Sequence, residues 1–455
     1  MLVFALALVL LHPSLAVERY YTRPAEVCMP FNLPGPEDPC RPGGFYDFFY
    51  KRCTGYRPGD LCFQCHKGVY CEERVPLEEC YLDASLHHPF VYDEYWSLFG
   101  GAPCDRVPNP YRLSYMFGTA GTGYPVTSRG MLMKPLDELT RQLHAMVGNA
   151  ETEGRIIVPS VGATQGIVAA LYALSQTVIE EEGVEVADVY VQSPYYNHLP
   201  WLTENLLKTT KWNLDADPTK NTTIEIVTWA NNPDGQLLPP KQPNKRRRFF
   251  DLSYYWPTFV KNITKVDDDI MVFSGSKNNG LAGSRSGWVI VKEGDLSEKV
   301  MDFVGNETLA VAIDTQIRQI LHTEKIIESH QSESPYGGFY DYMSRLNYNR
   351  IRILTQLFET SENYTFMNAE LGTIGAVAWV KCNMPDCNCF DLFNEIGLLG
   401  EEGELFGASK AYLRLSLGNP NIEFRTMLLK IYTRLHGELP SIEAENEVLE
   451  DLERS

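Results

Sequence analysis

The sequence predicts an α/β fold with a mostly parallel sheet in a large domain and a smaller C-terminal α+β domain. From about residue 90 onward, short apolar runs alternate with helix-sized segments, which is the pattern of strands joined by crossover helices. The chain has 455 residues, enough to bury a large core and to form two or three domains. We place the large domain at residues 91–330 and the small domain at residues 331–440.

The predicted elements follow in order along the chain. Apolar residues between positions 136 and 147 recur at helical spacing, and this helix should end near Gly148. A strand at residues 156–158, a turn at residues 162–164 and a helix at residues 167–174 come next. Further strands are predicted at residues 189–191, 224–227, 249–252, 270–273, 288–291, 376–381 and 412–417. Residues 441–455 form an acidic tail.

Charge excludes two classes of partner. The formal net charge is −19, which argues against nucleic acid and against an anionic membrane surface. The basic run at residues 245–248 is the local exception, and because an apolar strand starts at Phe249, we interpret the run as an exposed loop. Beyond the N-terminus, no apolar run is long enough to predict a membrane helix.

The N-terminus has the pattern of a cleavable signal peptide, which we place at residues 1–16. Its apolar stretch at residues 2–11 is too short to span a bilayer, and small residues follow it up to Ala16. Four glycosylation sequons agree with that interpretation: Asn221, Asn262, Asn306 and Asn363. We therefore expect a glycoprotein of the secretory pathway that is secreted, vacuolar or in the endoplasmic reticulum lumen.

Cysteine usage predicts disulfides. Eight of the eleven cysteines lie before residue 105, and residues 17–90 are rich in Pro, Gly and aromatic residues but poor in aliphatic ones. Zinc binding is the alternative for Cys62, Cys65 and Cys71, but no suitably spaced fourth ligand completes a finger, so we identify no metal site. A later group should contain one more bridge: Cys382, Cys387 and Cys389. The odd total leaves at least one thiol free or shared between chains.

The candidate site centres on a predicted loop at residues 274–288, between two apolar runs. It holds Lys277 among hydroxyls and glycines, with Arg285 eight residues further on. Small residues let the backbone come close to a ligand, and Ser274, Ser276 and Arg285 can donate to phosphate oxygens. A lysine that forms a Schiff base beside a phosphate is what pyridoxal phosphate requires. The alternative is an ordinary glycine-rich turn with a solvated lysine.

Four further positions could serve the same ligand. Ala163 and Thr164 lie at a strand-to-helix junction, where free N–H groups bind phosphate. Asn232 lies in a turn after a strand and could donate to a phenolate oxygen. Asp251 ends a strand and could face a pyridine nitrogen. Each pattern is also typical of plain turns and helix caps.

Two tyrosines complete the series. Tyr254 follows Asp251 by three residues, and its hydroxyl could reach the phenolate oxygen on the same pyridine ring. Tyr196 could stack on a planar ring. Paired tyrosines such as Tyr195 and Tyr196 are, alternatively, packing residues.

The order of these features along the chain resembles the fold-type I pyridoxal-phosphate enzymes of the aminotransferase superfamily. More narrowly, residues 62–435 resemble the alliinase and tryptophan aminotransferase-related family. The cysteines at 62, 65, 71 and 80 are spaced like the end of the EGF-like module that precedes many members. The local matches are Tyr92-Asp93-Glu94-Tyr95-Trp96, Leu113-Ser114-Tyr115, Val161-Gly162-Ala163-Thr164-Gln165, Asn231-Asn232-Pro233-Asp234-Gly235, Tyr254-Tyr255-Trp256-Pro257, Gly283-Ser284-Arg285-Ser286-Gly287-Trp288, Ala378-Trp379-Val380-Lys381-Cys382 and Leu413-Arg414-Leu415-Ser416-Leu417.

The resemblance implies a role for each position. Lys277 would bind pyridoxal 5'-phosphate covalently and then move the substrate's α-proton. Asp251 would keep the pyridine nitrogen protonated, and Arg414 would clamp the α-carboxylate of an amino acid. Asn232 and Tyr254 would hold the phenolic oxygen. The remaining contacts would be ring stacking by Tyr196 and phosphate binding by Ala163, Thr164, Ser274, Ser276, Arg285 and, from the neighbouring subunit of a homodimer, Tyr115.

Departures from the family pattern affect substrate choice. The segment at residues 278–281 lacks the expected Thr-Gly-His run, Trp229 and Ala230 replace Ser-Pro, and residues 118–134 look inserted. We favour transamination of an aromatic L-amino acid to its 2-oxo acid with a 2-oxo acid acceptor. The close alternative is a carbon–sulfur lyase acting on S-alkyl-cysteine sulfoxides, and the remote one is a secreted binding protein without activity.

Overall fold

The computed structural model describes residues 126–332, 334 and 337–437, together with short segments at 45–47, 52–54, 66–67, 73–74, 76–80 and 82–84. The predicted signal peptide, most of the Cys-rich EGF-like region, Tyr115 and the acidic tail lie outside these residues and stay predictions, as do the proposed domain boundaries. The first described strands are β1 (Phe45–Asp47), β2 (Arg52–Thr54), β3 (His66–Lys67), β4 (Glu73–Arg74) and β5 (Leu82–Asp83).

Strands and helices then alternate, as the sequence predicts. The elements up to residue 292 are β6 (Val126–Thr127), β7 (Leu132–Met133), α1 (Lys134–Val147), β8 (Arg155–Val161), α2 (Gly162–Glu182), β9 (Ala187–Val191), α3 (Leu199–Asn205), β10 (Thr210–Trp212), β11 (Thr223–Thr228), β12 (Arg248–Asp251), β13 (Ile270–Ser274), α4 (Gly275–Asn278) and β14 (Ser286–Lys292). α1 ends as predicted at Gly148, which adopts a left-handed φ of 74°.

The second half is richer in helices. Its elements are α5 (Asp295–Thr308), α6 (Ile313–Gln331), α7 (Phe339–Phe358), β15 (Tyr364–Phe366), α8 (Met367–Leu371), β16 (Val377–Cys382), α9 (Cys389–Asn394), β17 (Leu398–Leu399), β18 (Glu401–Glu402), β19 (Tyr412–Ser416) and α10 (Asn421–His436). None of the helices in the described ranges is both long and apolar enough to cross a bilayer.

Two sheets organise the molecule. The larger has seven strands in the order β10-β9-β11-β12-β13-β14-β8. Its strands pair in parallel except at β14, which is antiparallel to both β13 and β8. The smaller sheet has the order β15-β16-β19-β18 and is antiparallel throughout. The predicted α/β class, with a mostly parallel large sheet and a smaller C-terminal α+β part, is confirmed.

The large sheet is covered on both faces. Along β13, Met271 and Phe273 belong to one hydrophobic cluster, whereas Ile270 and Val272 belong to another on the opposite face. Successive side chains of a strand point to opposite faces, so a strand buried on both sides has a continuous apolar sequence. This is why the apolar run before Lys277 could be recognised as a strand.

The prediction of an exposed loop at residues 245–248 is wrong. Residues Lys245–Arg247 form a 3₁₀ turn, and Arg248 begins β12. Arg247 is only 1% exposed, because its Nη2 lies 2.7 Å from a carboxylate oxygen of Glu181 and 3.0 Å from one of Glu182. These carboxylates at the end of α2 compensate the buried guanidinium.

The later cysteine group is as predicted. Cys382 and Cys387 form a disulfide, and Cys389 is a buried free thiol. Within the Cys-rich region, Cys80 is disulfide-bonded as well. All four sequon asparagines are exposed: Asn221, Asn262, Asn306 and Asn363.

Candidate functional site

The predicted site residues meet at one edge of the seven-stranded sheet. β8, β9, β11, β12 and β13 run in the same direction, so their carboxyl ends share this edge, where the amino end of β14 joins them. Ligands of open α/β sheets bind at this edge. A cavity of about 320 Å³ opens there, lined by Ala163, Thr164, Tyr196, Asn232, Asp251, Tyr254, Ser274, Ser276, Lys277 and Arg285.

Lys277 lies at the end of β13, in the one-turn helix α4. This short helix replaces part of the predicted loop, and Ser274 caps it by accepting a hydrogen bond from the Ser276 N–H at 3.2 Å. Burial lowers the pKa of Lys277 well below its usual range, and the positive charges of Arg414 and Arg285 act in the same direction. A lowered pKa favours the neutral, nucleophilic form of the amine.

The N-terminus of α2 forms the anion-binding side of the cavity. α2 has 21 residues, and Ala163 and Thr164 in its first turn line the cavity. The first N–H groups of a helix have no intrahelical partner and attract anions. The Arg285 guanidinium lies against the same turn, since a Cβ on Gly162 would come within 2.7 Å of Arg285 Nη2. These groups, with Ser274 and Ser276, can hold a phosphate.

Asp251 ends β12 and is a buried residue of the cavity lining. Its Oδ1 accepts hydrogen bonds from the Ser253 hydroxyl at 2.6 Å and the Ser253 N–H at 3.1 Å. Burial raises the pKa of the Asp251 carboxyl, while the Ser253 hydrogen bonds and the charge of Lys277 oppose this rise. A cationic partner in the cavity would stabilise the charged form of this carboxylate.

Two tyrosines line the cavity. The Lys277 Nζ lies 5.3 Å from the centroid of the Tyr254 ring. The Tyr254 hydroxyl is buried and has no hydrogen-bond partner among the residues that the structure describes. Tyr196 follows β9 in a loop that Asn231 holds, through its amide nitrogen, to the Pro194 carbonyl at 2.8 Å. Burial raises the pKa of Tyr196 to about 12, so its phenol stays neutral.

Arg414 lies behind the cavity and does not line it. It is fully buried on β19, and its Nη1 donates a hydrogen bond to Asn232 Oδ1 at 3.1 Å. This bond fixes the orientation of the Asn232 amide, because the oxygen faces Arg414 and the NH₂ group is left for the cavity. Arg414 Nη2 also forms an ion pair with Glu401 Oε2 at 2.6 Å.

The residues present fit pyridoxal phosphate. The unpartnered Tyr254 hydroxyl and the Thr228 hydroxyl, which is also buried without a partner among the described residues, provide hydrogen-bonding groups for a polar ligand. The cavity combines a buried amine at Lys277, a buried carboxylate at Asp251 and an anion site at the start of α2. These are the groups that a Schiff base, a pyridinium nitrogen and a phosphate require.

Sequence reasoning missed several residues of the site. His198, Thr228 and Ser253 line the cavity, and Glu401 pairs with Arg414. Only Ser253 had a local signal, since a Ser two residues after an Asp commonly closes a turn on that carboxylate.

The Trp that departs from the family pattern, Trp229, packs against Phe250 in the core, and its indole N–H donates to the Leu238 carbonyl at 2.7 Å.

Comparison with known proteins agrees with this geometry. Residues 82–435 match the family model described as Allinase. Tryptophan aminotransferase-related protein 3 of Arabidopsis thaliana is 30% identical over 396 residues, which is 82% of each chain. Alliin lyase of Allium cepa is 27% identical over 405 residues, which is 84% of this chain and 82% of that one.

Solved structures agree at the level of the fold. An aspartate aminotransferase from Thermotoga maritima superposes with a TM-score of 0.55 at 14% identity, over 77% of this chain and 91% of that chain. Tyrosine aminotransferase from Leishmania infantum gives a TM-score of 0.53 at 14% identity, over 79% and 92% of the chains. By its match over residues 82–435, the chain belongs to the alliinase and tryptophan aminotransferase-related family, a family of pyridoxal-phosphate-dependent aminotransferases and carbon–sulfur lyases.

Proposed function

We propose that this enzyme transaminates an aromatic L-amino acid to its 2-oxo acid and passes the amino group to a 2-oxo acid acceptor. The single observation that carries the proposal is the placement of Lys277 in one cavity with Asp251, while Arg414 lies directly behind Asn232. The similarity to tryptophan aminotransferase-related proteins at up to 30% identity supports the aromatic donor.

Lys277 supplies both the attachment point and the proton carrier. Pyridoxal phosphate, when bound, supplies a carbonyl for amine exchange and an electron sink for the substrate's α-carbon. Because burial lowers the pKa of Lys277, the neutral form of its amine is favoured, and this form would bind the carbonyl and, once released, take the α-proton. The same amine would return that proton on the cofactor side, after which water would release the 2-oxo acid and the acceptor would take up the amino group by the reverse sequence.

Asp251 and Asn232 set the polarity of the site. The Asp251 carboxylate, held in place by Ser253, would keep a proton at the pyridine nitrogen. The Asn232 NH₂ group and the Tyr254 hydroxyl would both donate to the phenolic oxygen, since the Asn232 oxygen is already engaged by Arg414. Tyr196 would pack on the ring face.

Arg414 would orient the substrate. A guanidinium binds a carboxylate through two parallel N–H groups, which fixes the α-carbon in front of Lys277. Its burial keeps water away from the charge pair and strengthens it. An amino acid that lacked a free carboxylate would therefore be a poor substrate.

A carbon–sulfur lyase is the second candidate. Alliin lyases from Allium cepa and Allium sativum are 26% to 27% identical to this chain over 81% to 84% of its length. The same lysine, carboxylate and arginine would act, but loss of a sulfur leaving group from the β-carbon would replace the second proton transfer. The substrate offered would then decide the outcome.

A product assay on the cofactor-loaded protein tests the proposal. One reaction contains tryptophan and a 2-oxo acid acceptor, and a second contains an S-alkyl-cysteine sulfoxide alone. We expect an indolic 2-oxo acid in the first reaction, formed only when the acceptor is present. Pyruvate and ammonia from the second reaction, with no oxo acid from the first, would identify a lyase instead.

The proposal extends to assembly and compartment. We propose a homodimer in which the partner subunit's Tyr115 reaches the phosphate, and passage through the secretory pathway as the N-terminal pattern and the four sequons predict. Sedimentation of the purified protein and a glycan-dependent mass shift after secretion from a eukaryotic host check these two statements.

A further inference from the structure

Glu401 faces Arg414 because of the strand register in the small sheet. The two residues are direct partners across the antiparallel pair β18 and β19. Side chains of directly opposed residues point to the same face and come within contact distance. Arg414 Nη2 and Glu401 Oε2 are 2.6 Å apart.

Two glycines hold β18 close enough for this pairing. A Cβ on Gly400 would lie 2.6 Å from the Arg414 carbonyl oxygen, and a Cβ on Gly403 would lie 2.4 Å from the Ser409 carbonyl oxygen. Larger residues at these positions would push β18 away from β19. The short strand that carries Glu401 is therefore packed against the strand that carries Arg414.

The environment of the pair is asymmetric. The Arg414 side chain is 0% exposed, and its guanidinium carbon lies 4.7 Å from the centroid of the Phe406 ring. The Glu401 side chain is 23% exposed. The Oε2 that contacts Arg414 is buried, but other atoms of the Glu401 side chain reach solvent, whereas the guanidinium is fully buried and contacts both Asn232 and Phe406.

Charge explains why an anion is needed there. A buried guanidinium without a counter-charge is strongly unfavourable, and Glu401 compensates Arg414 in the absence of substrate. An amino acid's α-carboxylate would bring a second negative charge to the same guanidinium. Two carboxylates on one cation repel each other, which favours the departure of one of them.

We propose that Glu401 occupies the α-carboxylate position on Arg414 in the free enzyme and is displaced toward solvent when the substrate's carboxylate binds. This inference rests on the proposed role of Arg414 in the preceding section. Glu401 then acts as a competing internal anion that lowers affinity for every carboxylate ligand. It also disfavours acidic amino acids, whose second carboxylate adds to the repulsion, relative to neutral aromatic ones.

The test is binding of 3-phenylpropionate, a carboxylate without an amino group, to the cofactor-loaded protein by calorimetry. In E401Q the amide keeps the shape of the side chain but removes its charge, and we expect the Kd to fall about tenfold. E402Q is the matched control, because Glu402 is the neighbouring strand residue, whose side chain points to the other face. Its Kd should equal that of the unaltered protein.

Two further variants separate the possible failures. If E401Q does not fold, E401D carries the test, since its shorter side chain withdraws the carboxylate from Arg414 and should also lower the Kd. An unchanged or higher Kd in these variants would overturn the inference and make Glu401 a positioning residue. R414A should lose probe binding; if it binds normally, the carboxylate site itself is misplaced, whereas failure of the whole proposed function would be seen in the product assay.

Discussion

Asn232 and Arg414 are 182 positions apart in the chain and are joined by a hydrogen bond of 3.1 Å. Asn232 follows a strand of the large sheet, and Arg414 lies on a strand of the small one. The bond therefore links the side chain proposed to hold the cofactor's phenolic oxygen with the side chain proposed to hold the substrate's carboxylate. Substitution of either residue would therefore remove a hydrogen bond from the other.

Asp251→Asn is expected to retain covalent cofactor binding at Lys277 but to lower kcat about 100-fold, because an amide cannot hold a proton at the pyridine nitrogen. Single-turnover kinetics with an amino acid would measure the loss. Asp269→Asn is the matched control, since Asp269 is also buried but lies just before β13 begins, at the opposite edge of the sheet. Equal losses in both variants would indicate a general effect of removing a buried carboxylate.

Gly287→Ala is expected to weaken cofactor binding and to lower the free energy of unfolding by about 1–3 kcal/mol. The added Cβ would lie 2.6 Å from the Gly162 carbonyl carbon and 2.8 Å from the Ala163 nitrogen, both backbone atoms at the start of α2. Gly283→Ala provides a control in the same segment, because no atom lies within 4 Å of its new Cβ. Cofactor titration and denaturant unfolding of both variants would compare them, and equal behaviour would contradict the close approach of β14 to α2.

His144 gives a prediction for pH. Its Nδ1 lies 2.7 Å from Asn149 Oδ1, and its Nε2 accepts the indole N–H of Trp288 at 3.0 Å, so the ring is neutral. Burial lowers the pKa of His144 from 6.5 to about 4. Between these pH values the unfolded chain binds a proton that the folded chain does not, so stability falls as pH falls, by about 3 kcal/mol in total.

Denaturant unfolding across this pH range, from 6.5 down to about 4, would measure the His144 contribution. His144→Gln should lower stability near neutral pH and flatten the acid loss. His436→Gln, which changes an exposed residue at the end of α10, should keep the full slope. An unchanged slope in His144→Gln would assign the acid loss to other groups, such as the partly buried His322, whose pKa is also lowered to about 4 by burial.

Much of the fold could be predicted because strands buried on both faces have continuous apolar sequences. The site followed from the fold, since parallel strands bring their carboxyl ends to one edge, which gathers Asp251, Asn232 and Lys277 from distant positions. Arg247 was misjudged because its partners, Glu181 and Glu182, become neighbours only when α2 packs beside the strand start. A run of charges cannot reveal such partners.

Glu401 could not have been found from the sequence for a related reason. Its strand is two residues long, too short for any alternation of polar and apolar residues to show. Its pairing with Arg414 depends on the register between β18 and β19, which is set by the turns between them and the close packing of Gly400 and Gly403. Register is a property of the folded sheet.

The most direct test of the account is to locate the covalent cofactor. The protein is loaded with pyridoxal phosphate, reduced with borohydride, digested and examined by peptide mass spectrometry, with Lys277→Ala and Lys292→Ala treated in parallel. Lys292 is a suitable control because its side chain is 63% exposed. We predict one modified peptide, containing Lys277, in the unaltered protein and in Lys292→Ala, and its loss in Lys277→Ala together with about a 1,000-fold fall in turnover. Modification at another lysine, or full turnover by Lys277→Ala, would contradict the central assignment.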